Sequence, residues 1–176
     1  MKSLVCFLFP FLQRFNPSRN FVVEGMSLLI LLVGIPSSGK TSWAKEYLKT
    51  KALTKIVSND EIRKELTGTE ECNPEQNQHI YQTAAQRAEQ YLQDGYDVIV
   101  DGTNVTIEEW IRYKEITLRQ KRAVIYACKI FDISVEEAME RQNGRKRKVP
   151  KEIILKKYNQ LLSILHHKER FFNFIL

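Results

Sequence analysis

Cysteine is scarce in this sequence of 176 residues, and no apolar run is long enough to cross a bilayer. Cys6, Cys72 and Cys128 are odd in number and lack a C-x-x-C pair, which argues against a disulfide framework or a cysteine zinc site. The apolar run over residues 4–12 is interrupted by Pro10 and falls well short of the roughly 20 residues that a transmembrane helix needs. We therefore expect a cytoplasmic protein without a membrane contact, since reduced thiols are typical of that compartment.

The rest of the composition predicts one globular domain that follows an N-terminal extension. Hydrophobic residues make up 43% and charged residues 27% of the chain, which is long enough for a substantial core. Residues 1–25 weakly resemble a signal peptide, but no small-residue cleavage site follows them. We predict that residues 1–25 are a poorly ordered leader or reflect an upstream start, and that residues 26–176 form the domain.

Basic side chains are concentrated towards the C-terminus. Residues 26–140 carry 14 basic and 18 acidic side chains, a net charge of −4, whereas residues 141–170 carry 10 basic and 2 acidic ones, a net charge of +8. This distribution favours a phosphate-rich ligand near residues 141–170. A solvated basic helix face is the alternative explanation.

The hydrophobic pattern alternates between short apolar runs and helical periodicity. Strands are predicted at residues 28–33, 54–58, 98–101 and 123–131, and helices at residues 41–51, 60–66, 74–94, 107–120 and 134–141 and from residue 150 onward. Such alternation predicts an α/β fold, in which a parallel sheet of about four strands is covered by helices on both faces. Ligands of such sheets bind at the carboxyl ends of the strands.

The first predicted strand runs directly into a phosphate-binding pattern, G-x-x-x-x-G-K-[ST], within LLILLVGIPSSGKTS. In this pattern backbone N–H groups cradle phosphate oxygens, the lysine Lys40 reaches the β- and γ-phosphates, and the hydroxyl of Thr41 can bind Mg²⁺. The helix that follows adds the positive end of its dipole. An accidental match at a strand-to-helix turn is the alternative. The pattern predicts a site for ATP with Mg²⁺ made by Gly34, Ser37, Ser38, Gly39, Lys40, Thr41 and Ser42.

The second segment of interest, SNDEIR, follows the second predicted strand. Asp60 and Arg63 are three positions apart and therefore share one face of a helix. A carboxylate at that rim can accept the proton of an attacking hydroxyl, and an arginine can hold an anionic group of the acceptor. Alternatively, Asp60 caps the helix and Arg63 pairs with it or with Glu61 in solvent. The spacing does not decide between the two explanations.

The third segment, VIVDGTN, is an apolar strand that ends in an aspartate. Asp101 is in the position where such nucleotide-binding folds hold a carboxylate on the magnesium side. Thr103 and Asn104 then offer hydrogen bonds to the substrate in the cleft. A simple Asp-Gly turn is the alternative.

The fourth segment, RQNGRKRKVP, is a basic loop before the last helix. Phosphoryl transfer spreads negative charge over the γ-phosphate oxygens, and positioned arginines stabilise it. Arg141 and Arg145 are therefore candidates for catalytic contacts on a lid that closes over the site. The alternative is a solvated loop that binds nucleic acid loosely or binds nothing.

Taken together and in order, these four segments resemble the phage-type polynucleotide 5′-hydroxyl kinase domain and its relatives among P-loop phosphotransferases. The similarity covers about residues 28 to 162. It implies transfer of the γ-phosphate of ATP to a hydroxyl, in the first place the 5′-OH of a nucleic acid. By this resemblance Asp60 is the general base, Arg63 contacts a phosphate of the acceptor, and Arg141 and Arg145 are lid arginines on the donor phosphates.

Two departures from the phage-type pattern concern the acceptor. This chain has Ser58-Asn59-Asp60 where phage-type enzymes have N-R-D, and Gly102 takes the place of their aspartate because Asp101 comes one residue earlier. The D-x-T-N form also occurs in kinases of small hydroxyl compounds. The alternatives are therefore a kinase of an antibiotic, sugar or nucleotide-sugar hydroxyl, or a nucleotide-binding module without transfer activity. The acceptor and the oligomeric state do not follow from the sequence.

Overall fold

The computed structural model describes residues 25–69, 73–145 and 147–176, in which five strands form one parallel sheet. The order across the sheet is β2-β3-β1-β4-β5, so that β1 lies in the middle between β3 and β4. The strands are β1 (Met26–Gly34), β2 (Thr54–Ser58), β3 (Asp97–Asp101), β4 (Ala123–Phe131) and β5 (Phe174–Ile175).

Each of the first four strands is followed by at least one helix among the described residues, and two helices follow β2 and three follow β4. The helices are α1 (Lys40–Thr50), α2 (Asn59–Thr67), α3 (Pro74–Gln93), α4 (Ile107–Arg119), α5 (Val135–Glu140), α6 (Lys151–Ile164) and, after a 3₁₀ turn at Leu165–His167, α7 (Lys168–Phe171). The α/β class and the parallel sheet are thus confirmed, and none of these helices is both long and apolar enough to cross a membrane. The predicted extension over residues 1–25 lies, except for Gly25, outside the described residues.

The sheet has one strand more than the four predicted. Residues Phe174 and Ile175 pair in parallel with Ala127 and Cys128 of β4, and this places the end of the chain at the edge of the sheet. A pairing of two residues is too short to show a periodic pattern. For this reason the sequence shows only an apolar run there.

Both faces of the central strand are buried. Leu29 and Leu31 of β1 belong to the core under α3 and α4, whereas Ile30 and Leu32 belong to a core on the other face with Ala44 of α1. All four β1 side chains are at most 1% exposed. Successive side chains of a strand point to opposite faces, so a continuous apolar run requires cover on both.

Two helix caps fix where the chain passes from a strand into the next helix. Ser58 is the last residue of β2 and also the N-cap of α2, with its hydroxyl accepting a hydrogen bond from the Glu61 backbone N–H at 3.4 Å. The strand therefore passes into the helix without a loop, which holds the first turn of α2 at the sheet edge. Thr106 and Glu109 form a reciprocal capping box at the start of α4.

Candidate active site

The turn between β1 and α1 forms the floor of a cavity of about 330 Å³. Gly39 caps α1 with φ +98°, a left-handed conformation that glycine adopts without the cost of a Cβ atom. The cavity brings together most of the residues predicted for the nucleotide and both predicted lid arginines. Its lining consists of Ser37, Ser38, Gly39, Lys40, Thr41, Ser42, Arg141 and Arg145.

Gly34, the remaining residue of the predicted nucleotide site, does not line this cavity. Its backbone N–H donates to the carbonyl of Thr103 at 3.0 Å, which joins the turn after β1 to the segment after β3. A Cβ atom at Gly34 would come within 2.9 Å of the Phe131 carbonyl oxygen and of Ser38 Oγ. Glycine is therefore required here by the close approach of neighbouring chain segments.

Lys40 is a buried ammonium within the turn, only 7% exposed. Its Nζ donates to the carbonyls of Gly34 at 2.9 Å and Ile35 at 2.6 Å, and to Ser38 Oγ at 3.1 Å. Burial lowers the pKa of Lys40 to about 8, against the opposing influence of the Asp101 and Asp60 carboxylates. A desolvated cation of this kind is stabilised by further negative charge, such as that of a phosphate.

Thr41 and Asp101 meet across the sheet, because β3 is the neighbour of β1. The Thr41 hydroxyl donates to Asp101 Oδ2 at 2.7 Å. Burial raises the pKa of Asp101, while the Thr41 hydrogen bond and the Lys40 charge lower it in part. This carboxylate is thus held in a partly desolvated site beside a cation.

A hydroxyl and a carboxylate are hard oxygen donors, and this pair fits Mg²⁺. Within the described ranges no group of three or more His, Cys, Asp or Glu side chains could hold a metal ion. Mg²⁺ commonly uses only one or two protein oxygens together with substrate phosphates and water. Thr41 and Asp101 are therefore suited to an ion that arrives with a nucleotide.

Asp60 lies on the first turn of α2, next to the carboxyl end of β2, and Arg63 follows three positions later on the same helix face. An ion pair joins Arg63 Nη1 to Asp60 Oδ1, and the Arg63 side chain is only 6% exposed whereas that of Asp60 is 65% exposed. The helix is capped by Ser58 and not by Asp60, so the capping explanation of this carboxylate is wrong. Asp60 is thus an exposed carboxylate that contacts a buried guanidinium.

The two departures from the phage-type pattern lie against each other. Asn59 is 8% exposed, and a Cβ atom at Gly102 would be only 2.5 Å from Asn59 Nδ2. Among the described residues, Asn59 Oδ1 and Arg63 Nε are buried without a hydrogen-bond partner. Sequence reasoning missed this contact, although the joint occurrence of the two departures was a signal for it.

Gly102→Ala is expected to destabilise the domain by about 1–2 kcal/mol, the cost of moderate overpacking. The added methyl group must displace the buried Asn59 amide. Asn59→Ala in the same chain should remove most of this cost, so the two substitutions should couple in a double-mutant cycle followed by urea unfolding. Additive effects of the two substitutions would show that the residues do not oppose each other. Gly144→Ala is the matched control, because no atom lies within 4 Å of a Cβ atom there.

Thr103 and Asn104, the residues predicted to contact the substrate, join the segment after β3 to β1. Asn104 is 1% exposed, and its side-chain Nδ2 donates to the Leu32 carbonyl at 2.7 Å. The backbone carbonyl of Asn104 accepts from Trp110 Nε1 at 2.8 Å. The amide nitrogen therefore joins this segment to β1. The predicted contact of Asn104 with a substrate stays a prediction.

The predicted lid reaches the β1–α1 turn with both of its candidate arginines. Arg141 Nη1 donates to the Ser38 carbonyl at 3.2 Å, and Arg145 Nη1 donates to Ser37 Oγ at 3.0 Å. Glu137 fixes the other end of the Arg141 guanidinium at 2.5 Å. Both cations thus lie beside the cavity in which we expect phosphates.

Two hydrogen bonds between Gln142 and Val149, here called the Gln142–Val149 clasp, join the two ends of the basic loop. The sequence does not reveal this contact. The Gln142 side chain is 2% exposed, and it accepts from the Val149 N–H at 2.5 Å and donates to the Val149 carbonyl at 3.2 Å. Beneath it Ile35, Val135 and Ile154 form a small apolar cluster. The basic loop is therefore held at both ends, which limits the positions its arginines can take.

Comparison with known proteins gives one family and several solved structures. A family model described as an AAA domain matches residues 29–165. A chain of the Pnkp1/Rnl/Hen1 RNA repair complex is similar over 82% of this chain and 47% of its own length, with a TM-score of 0.69 and 24% identity. A chain of a second Pnkp1/Rnl/Hen1 complex is similar over 76% and 45%, with a TM-score of 0.59 and 23% identity.

A gluconokinase from Sinorhizobium meliloti 1021 is similar over 78% of this chain and 75% of its own length, with a TM-score of 0.53 and 16% identity. At such identities these structures show the fold alone. The chain spans about half the length of the two chains from the repair complexes.

Proposed function

The chain belongs to the AAA domain family as a P-loop kinase-like domain, and on this premise we propose that it transfers the γ-phosphate of ATP to the 5′-OH of a polynucleotide. The observation that carries the proposal is the Asp60–Arg63 pair beside the cavity of Lys40. A module that only binds nucleotides needs neither a rim carboxylate nor an arginine aimed at it. A kinase needs both a base and a means of holding the acceptor.

In the proposed reaction, the β1–α1 turn binds the triphosphate and Asp60 accepts the proton of the acceptor hydroxyl. The hydroxyl oxygen forms a bond to the γ-phosphorus, and the bond from that phosphorus to the bridging β–γ oxygen breaks to release ADP. Arg141 and Arg145 stabilise the charge that spreads over the transferred group, and Lys40 orients the phosphates. When bound by Thr41 and Asp101, Mg²⁺ supplies neutralisation of the phosphate charge.

The second candidate is a kinase of a small hydroxyl compound. Its support is the D-x-T-N form of the segment after β3, and a gluconokinase is among the proteins of similar fold. The two candidates share the donor side and differ in what Arg63 holds. A polynucleotide has a phosphate next to the reacting nucleoside, whereas a simple alcohol or sugar has none.

Arg145→Ala is expected to slow transfer to every acceptor by about 10- to 100-fold, because one charge-assisted contact with the donor phosphates is lost. Arg63→Ala is expected to be acceptor-selective. Wild-type protein should prefer a 5′-OH, 3′-phosphorylated nucleotide to the bare nucleoside, and Arg63→Ala should abolish that preference. Steady-state kinetics with both acceptors give the difference in transition-state free energy.

A wild type without preference for the phosphorylated acceptor would favour the small-molecule candidate. The same conclusion would follow if Arg63→Ala kept the wild-type preference. Because Arg63 is buried, thermal unfolding of that variant must first show a folded protein. Failure of transfer to all acceptors by a folded wild type would favour the binding module.

A further inference from the structure

The Asp60 carboxylate has a second arginine partner, which comes from the lid. Arg147 Nη1 lies 3.5 Å from Asp60 Oδ1, with 37% of the Arg147 side chain exposed. The buried Arg63 guanidinium contacts the same oxygen. Within the described residues both guanidinium contacts therefore fall on Oδ1, and Oδ2 is left to receive a hydroxyl proton.

The lid arginines thus divide between the two halves of the site. Arg141 and Arg145 contact the turn after β1, where the donor phosphates are expected, whereas Arg147 reaches across to the first turn of α2. The Gln142–Val149 clasp holds the segment that carries Arg145 and Arg147 at both ends. One short segment therefore faces both proposed substrates.

Two guanidiniums on one carboxylate oxygen have more hydrogen-bond donors than that oxygen can accept. Each guanidinium has five N–H groups, and that of the partly exposed Arg147 has more of them than its one contact with Asp60 uses. A phosphate presents several strong acceptor oxygens, and arginine forks match their geometry. A phosphate that binds beside Asp60 would therefore meet the Arg147 guanidinium first, with the buried Arg63 guanidinium on the same carboxylate oxygen.

We propose that Arg147 is the acceptor arginine of the lid and binds, together with Arg63, the phosphate next to the reacting hydroxyl of a nucleotide acceptor. The proposal rests on the proposed function, since it requires an acceptor with such a phosphate. It makes Arg147 a determinant of acceptor specificity, distinct from the donor-side arginines. The alternative is an exposed ion pair of Arg147 and Asp60 without consequence for substrate, as is common at surfaces.

The test compares Arg147→Ala with Lys148→Ala, which removes the same charge from the adjacent position of the lid. The acceptors are a 5′-OH, 3′-phosphorylated nucleotide and the bare nucleoside, at saturating ATP. Arg147→Ala should lower kcat/KM for the phosphorylated acceptor by about 10- to 100-fold, mainly through KM, as expected for one lost charge-assisted contact. The value for the nucleoside and the KM for ATP should stay within about twofold of wild type.

Two further variants sharpen the result. Arg147→Lys keeps the charge and should retain part of the preference, since a point charge still attracts a phosphate but lacks the fork. Arg63→Ala combined with Arg147→Ala should lose less than the product of the single losses, because both contacts serve one phosphate. Lys148→Ala should change both acceptors alike and only slightly.

The outcomes separate this proposal from the proposed function. If wild type prefers the phosphorylated acceptor and Arg147→Ala keeps that preference, the role of Arg147 is refuted and the polynucleotide proposal stands. If Arg147→Ala slows both acceptors equally, Arg147 serves the donor and the proposal is likewise refuted. If wild type shows no preference for the phosphorylated acceptor, both proposals are overturned together.

Discussion

Lys40→Ala is expected to eliminate detectable phosphoryl transfer, with a loss at least on the order of 10²–10³-fold for one preorganised donor. Lys40 Nζ lies in the floor of the β1–α1 turn, where its partners are two backbone carbonyls and one hydroxyl. No other ammonium among the residues that line the cavity can replace it. Steady-state transfer of labelled γ-phosphate to an oligonucleotide measures the effect.

The same substitution should leave the fold intact. The folded-state pKa of Lys40 is lowered by burial to about 8, so its charged form costs folding free energy below that pH. The cost fades as pH rises from about 8 towards the unfolded value, and Lys40→Ala removes it altogether. At neutral pH this gain offsets the loss of hydrogen bonds to Gly34 and Ile35.

Lys45→Ala is the matched control, because Lys45 is an exposed lysine on the same helix α1. It should transfer phosphate at the wild-type rate. Transfer at that rate by a folded Lys40→Ala protein would refute the assignment of the nucleotide site. A large fall in the unfolding temperature of Lys40→Ala would instead show a structural role for the buried ammonium.

Asp60→Asn is expected to lower kcat by on the order of 10²–10⁴, the range typical of a lost general base, with little change in the KM for ATP. The amide keeps an oxygen that can still accept from Arg63, so the buried guanidinium is not left without a partner. It cannot take up the proton of the acceptor hydroxyl. Single-turnover kinetics at saturating ATP measure the chemical step directly.

Glu61→Gln provides the control for Asp60→Asn, since it neutralises the exposed carboxylate of the next residue on the same turn. Only a small and acceptor-independent change is expected of it. Stability should change little in Asp60→Asn, because Ser58 caps the helix. A variant that loses stability and keeps its rate would refute the role of Asp60 as base.

The sequence was most informative where chemistry dictates spacing along the chain. The G-x-x-x-x-G-K-[ST] pattern, the buried strand before it and the helix after it are local features, so residues 28–42 predicted the turn and the start of its helix, around which the structure has a cavity. The strands at residues 54–58 and 123–131 were likewise predicted with their observed bounds. Apolar runs and helix periodicity depend on neighbours in sequence, which are visible without a structure.

The sequence alone determined that this is an α/β protein with a G-x-x-x-x-G-K-[ST] turn after β1 and a basic loop before α6, whereas the tertiary structure decided which of the polar residues meet. Asp101 reaches Thr41 because β3 is the neighbour of β1, and Asn59 lies against Gly102 because β2 is the neighbour of β3. The contact of Arg147 with Asp60 spans 87 positions of the chain. Such contacts depend on strand order and on the path of the lid, and these follow from the packing of the whole core and not from any local pattern.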